Sequence, residues 1–167
     1  MKRILMVVDK KGSAIWRLAQ GVKKYLPHFK IDVIAVHPKK PDPDQIDAYN
    51  RLANQADIIS YEYWKTAVML LEKYPNNKPK ILAHYNPYNL QESDWKEFDI
   101  ITVANQTMKR ELKNSRLVPL SIDLDLFPYQ REYPETNQVI MVSSRIESKK
   151  GVLSVAEVCE ELGYPFL

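Results

Sequence analysis

An arginine and a lysine five positions apart, Arg145 and Lys150, stand between an apolar run at 139–142 and an amphipathic pattern at 150–162. If the run is a strand and the pattern a helix, both cations lie where the first helical N–H groups have no partner. Such a junction binds anions, because the helix dipole is positive at this end and the side chains add full charge. An ordinary solvated basic loop would carry the same residues, so spacing alone makes the pair a candidate phosphate site and nothing firmer.

Other polar residues with chemical use cluster after apolar runs. Gly12 and Ser13 follow the first run and open a helical pattern, where glycine lets a ligand approach the backbone closely and N–H groups face outward. His84, Tyr85 and Asn86 follow the fourth run and combine hydrogen-bonding groups with an aromatic ring. For a histidine at a strand end, a purely structural hydrogen bond is the competing reading. Tyr61, Glu62, Tyr63 and Trp64 follow the third run, where the rings suit sugar C–H surfaces or simply pack; Glu62 is a candidate polar contact. Asp9 ends the first run and could cap a turn.

The elements that must position these residues alternate regularly. Strand-like apolar runs fall at 4–8, 32–36, 58–60, 80–83, 100–103 and 117–118, and helical patterns at 14–25, 44–54, 64–73 and 107–113. Ser13 caps the first helix, Asp42-Pro43 starts the second, and Pro27 and Pro75 stop two of them. Short, nearly all-apolar strands alternating with helices imply an α/β fold with a parallel sheet covered on both faces. Residues 119–136, with three prolines, read as a linker after an N-terminal domain at 1–118.

Residues 137–167 then start a new strand–helix–strand pattern closed by Gly163. Below roughly 40 residues such a unit cannot bury a core by itself. The chain is therefore expected to hold only the truncated start of a second domain. The stripe of Val152, Val155, Ala156, Cys159 and Leu162 is expected to pair with a second copy or fold back on the first domain.

Composition narrows the function classes. Hydrophobic content of 45% and charged content of 27% suit a folded globular chain, and the net charge of +3 is not gathered into one block. Nucleic-acid binding gains no support from that distribution. His28, His37 and His84 show no metal-ligand spacing, so no metal is expected. The first apolar run is broken by Asp9 and is too short for a membrane span, with no signal-peptide cleavage pattern. A single cysteine, Cys159, on the apolar face of a helix fits a buried thiol and a reducing, cytoplasmic compartment.

Three segments in register carry a family resemblance. Residues 117–127, LVPLSIDLDLF, resemble the crossover segment of family 4 glycosyltransferases, written vipNGiD…F. Residues 142–151, VSSRIESKKG, resemble the vGR…eKG segment that follows it, and 99–105 with 108–112 resemble an earlier aD.iia.S….l element. Leu120-Ser121 replaces the family's Asn-Gly, Ser144 replaces its glycine, and the first loop keeps one glycine of a frequent pair.

The resemblance implies two Rossmann-like domains facing a cleft, the glycosyltransferase B architecture, with the acceptor on the N-terminal side. It implies a nucleotide-sugar donor, no further cofactor, and a retaining, metal-independent transfer to a carbohydrate, lipid or protein acceptor. Arg145 and Lys150 would hold the donor diphosphate, His84 would act at the reacting sugar, and Gly12, Ser13, Glu62, Tyr85 and Asn86 would contact acceptor or sugar. The family's acidic donor-sugar motif has no counterpart through residue 167, so this form is expected to be inactive alone. Peripheral membrane contact and self-association through 137–167 are further expectations. The alternative from another class is a non-catalytic Rossmann-like binding or assembly module.

Overall fold

The expected alternation of strand and helix forms through residue 117, and the chain divides into two compact units, Met1–Phe127 and Pro128–Leu167. The computed structural model describes residues 1–84, 96–120 and 152–163. In the first unit the strands are β1 (Arg3–Val8), β2 (Lys30–Ala35), β3 (Ile58–Tyr61), β4 (Lys80–His84), β5 (Ile100–Val103) and β6 (Arg116–Leu117). They build one six-stranded sheet in the order β2-β1-β3-β4-β5-β6, and every pairing is parallel. This is an α/β, Rossmann-like parallel sheet with helices on both faces.

Local chemistry sets the helix boundaries. Helix α1 (Ala14–Tyr25) begins where the Ser13 hydroxyl accepts the Trp16 N–H at 3.1 Å, and Pro27 follows its C-cap Leu26. Helix α2 (Pro43–Gln55) is capped by Asp42, which accepts the Asp44 N–H at 2.9 Å, with proline at the first helical position. Asn105 does the same for α4 (Gln106–Glu111) through the Met108 N–H. Helix α3 (Trp64–Lys73) differs, because its N-cap Tyr63 supplies no side-chain bond.

Chain order decides which face each helix covers. From β1 the chain steps one way to β2, then back across β1 to β3 and onward to β4. Right-handed crossovers running in opposite directions place their helices on opposite faces. Side-chain alternation along β1 agrees: Met6 and Val8 pack with Ala19 of α1, whereas Leu5 and Val7 pack with Ile46 and Tyr49 of α2 and Leu70 of α3. The direction of strand addition therefore reverses between β1 and β3, and in such sheets ligands bind beyond the carboxyl ends of the strands near that switch.

Several strand ends differ from the sequence reading by one or two residues, β1 and β6 among them. β2 begins two residues earlier, since pairing with β1 extends to Arg3↔Lys30 whatever the hydropathy of Lys30. β3 runs on through Tyr61, which is fully buried and is no sugar platform. Its hydroxyl shares a 2.8 Å hydrogen bond with that of Tyr49, and the Asn76 amide donates to both oxygens. Loss of solvent raises both phenols above the ordinary tyrosine value of 10.0, so the pair stays neutral. β4 also gains a residue, His84, which pairs with Val103.

In the second unit α5 (Val152–Glu161) forms and ends at Gly163, whose φ of +71° is the left-handed conformation glycine tolerates. Cys159 is buried, but Leu162 is 64% exposed and does not join the covered stripe. The expected strand at 138–142, the strand start at 165–167 and the linker from 121 onward lie outside the described residues. No helix among the described residues is long and apolar enough to cross a membrane.

Candidate functional site

The carboxyl edge of the sheet is built by backbone pairing before any side chain contributes. The Val36 N–H donates to the Val8 carbonyl at 2.9 Å, and the Glu62 N–H donates to the Val7 carbonyl at 2.8 Å. The residues after β1, β2 and β3 are thus brought level. Tyr61 pairs with Leu82, so His84 at the end of β4 reaches the same edge two positions further along. β3 separates β1 from β4, which puts the first and fourth loops two strand spacings apart, about 10 Å. Glu62 lies at the end of the strand between them.

The described candidates are more engaged than free ligands would be. Gly12 has φ +80°, a conformation glycine adopts without strain, and open space where a side chain would project. Ser13 donates its hydroxyl to Asp9 Oδ1 at 3.2 Å and accepts from Trp16, while its N–H bonds the Lys10 carbonyl at 3.3 Å. Ser13 is first of all a cap. Glu62 is 4% exposed, and its Oε1 accepts a 2.7 Å bond from Ser60, two residues back on the same strand face. Tyr85, Asn86, Arg145 and Lys150 lie outside the described residues, as does the side chain of His84.

A cavity of about 370 Å³ opens at this edge, and most of its walls went unrecognised in the sequence. Asp9 and Lys10 come from the end of β1, His37 and Lys39 from the turn after β2, and Tyr63 and Lys65 from the start of α3. The turn and the helix are pinned together, because the buried Thr66 hydroxyl donates to the Val36 carbonyl at 3.0 Å. His37 Nδ1 accepts the N–H groups of Lys39 and Lys40, both at 3.2 Å, which leaves the ring proton on Nε2 as a donor. Three lysines therefore surround a cavity with one carboxylate, beside the point where the direction of strand addition reverses. Among the described residues no group of three or more His, Cys, Asp or Glu side chains is placed to hold a metal ion.

No protein-family model matches the chain, and no curated protein matches it either. Among solved structures it is similar to HepE from Anabaena, crystallised in complex with UDP and glucose. The two share 10% sequence identity with a TM-score of 0.50 over 98% of this chain. The chain spans 50% of the length of that structure. At this identity the similarity is one of fold, and the fold is the α/β Rossmann-like architecture of a protein solved with a nucleotide and a sugar.

Proposed function

We propose that this chain is the acceptor-side part of a nucleotide-sugar glycosyltransferase of the glycosyltransferase B type. The observation that carries the reading is the fold shared with HepE, a protein crystallised with UDP and glucose. A shared fold alone does not assign a reaction. Added weight comes from the segments at 99–112, 117–127 and 142–151, which follow the family 4 order and spacing. The donor is a substrate, and no metal or other cofactor enters the scheme.

In this reading the bond from the anomeric carbon to the diphosphate oxygen breaks as an acceptor hydroxyl oxygen bonds to the same carbon, and the hydroxyl proton passes to the departing diphosphate. Negative charge collects on the departing diphosphate. Arg145 and Lys150 neutralise it, and such bonds strengthen as the charge grows. In the scheme His84, at the end of β4, acts at the reacting sugar, and Gly12, Ser13, Tyr85, Asn86 and Glu62 contact the acceptor or sugar. The product retains the donor's anomeric configuration.

Calorimetry on the full-length protein tests the donor assignment. Arg145→Ala and Lys150→Ala should each weaken nucleotide-sugar binding by about 1.5–3 kcal/mol, the worth of one charge-assisted bond. Unchanged affinity in both variants would remove them from the donor site. The second reading, a non-catalytic binding or assembly module, is favoured by one observation: Ser13 spends its hydroxyl and its N–H within its own turn. A protein that binds nucleotide-sugars without turning them over would fit that reading.

A further inference from the structure

We propose that the cavity between the ends of β1 and β2 and the start of α3 binds the phosphate group of a phosphorylated sugar or polyol. That this compound is the acceptor rests on the transferase reading above; that the cavity takes a sugar phosphate does not.

Charge is the first reason. Lys10, Lys39 and Lys65 line one cavity of about 370 Å³ with Asp9 as the carboxylate among them. They come from three separate segments, so their convergence is produced by the strand order and not by a local run of basic sequence. All three are exposed at the surface, so a small anion can reach them from solvent. The Arg3–Asp32 ion pair involves none of them, and the Lys65 ammonium lies 5.3 Å from the centroid of the Trp64 ring. Like charges gathered at one cavity repel each other, and a bound dianion relieves that repulsion. Lysine is a point charge with three donors, which suits the oxygens of a phosphate monoester.

The remaining walls narrow the class. His37 offers its Nε2–H as a donor, because Nδ1 is occupied by two backbone N–H groups. Asp9 takes the Ser13 hydroxyl on one oxygen and is acceptor-only, so a free phosphate has no use for it. A hydroxyl-bearing ligand does, since a sugar O–H donates to a carboxylate. The half-buried Tyr63 supplies a ring wall, a surface that suits sugar C–H groups. Cations for the phosphate, a carboxylate for a hydroxyl and a ring for the carbon skeleton together describe a phosphorylated polyhydroxy compound. The cavity is also preassembled, as the Thr66–Val36 bond ties the lysine of the helix to the turn carrying His37 and Lys39.

The test is an amide NMR titration of the complete chain with glucose 6-phosphate, inorganic phosphate and glucose as separate probes. Saturable shifts at Lys10, His37, Lys39, Tyr63 and Lys65 are expected with glucose 6-phosphate, and roughly tenfold weaker binding of each of the other two. Lys10→Gln combined with Lys39→Gln and Lys65→Gln should weaken glucose 6-phosphate binding by at least about tenfold, with the melting temperature unchanged. Lys65→Gln alone gives the same direction should the triple variant not fold. Shifts mapping elsewhere on the chain, equal affinity for glucose and its phosphate, or equal affinity for inorganic phosphate would overturn the proposal. Sugar-phosphate binding here in a protein that releases nucleotide from no donor would leave the pocket standing and remove the transferase. Sugar transfer by a triple variant with wild-type KM for every acceptor would do the reverse.

Discussion

Replacing His84 with alanine in the full-length protein is expected to lower turnover by roughly a hundredfold or more, the worth of a positioned acid–base or hydrogen-bonding group. The backbone at this position is held by the β4–β5 ladder through the His84↔Val103 pair, which the substitution leaves in place. The folded state should therefore survive, and the loss should fall on kcat and kcat/KM together, as for a contact made in the transition state. Steady-state kinetics and melting curves measured side by side decide it. Unaltered kinetics would exclude His84 from the reaction, and a loss of activity matched by a collapse in melting temperature would mark it as structural.

Leu82→Ala is expected to remove about 2–5 kcal/mol of stability, a large part of the roughly 5–15 kcal/mol that holds an ordinary domain together. Leu82 is fully buried and pairs in register with Tyr61 on one side and Ile101 on the other, both members of the larger core. A methyl group in place of an isobutyl group leaves a cavity among fixed strands, which cannot close up as a loop would. Urea titration should show the midpoint falling sharply at an unchanged slope. A shift below about 1 kcal/mol would mean that β4 is not an interior strand and that the strand order is wrong.

Much of the fold was legible because its punctuation is chemical. The bounds of α1 and α3 match the periodic patterns at 14–25 and 64–73, where Ser13 supplies a cap and Pro27 and Pro75 forbid continuation. Strand ends were less legible, since a ladder continues wherever a neighbour offers backbone partners. Lys30, Tyr61 and His84 joined strands for that reason and not through hydropathy. Tyr61 shows the limit most clearly: its burial depends on the hydroxyl of Tyr49, twelve residues away on α2, which no local pattern reveals.

The cavity was hidden for a related reason. Lys10, Lys39 and Lys65 each look like a solvated charge beside a turn or on a helix start. Only the order β2-β1-β3, with α3 tied to the turn after β2 through Thr66, brings them to one place. His37 has no metal-ligand spacing to the other histidines, and its ring is fixed by the two N–H groups that follow it. The candidates Gly12, Ser13 and Glu62 were found at the carboxyl edge because that edge follows from parallel strands alone.

The most direct test of the transferase reading is a screen of nucleotide-sugars with the full-length protein, measuring nucleotide release with and without glucose 6-phosphate as a trial acceptor. At least one donor should yield free nucleotide diphosphate at a rate raised by the phosphorylated acceptor, with a new glycosidic bond in the product. Tight binding of a nucleotide-sugar with no nucleotide released, under any acceptor, would contradict the enzyme and leave a binding module.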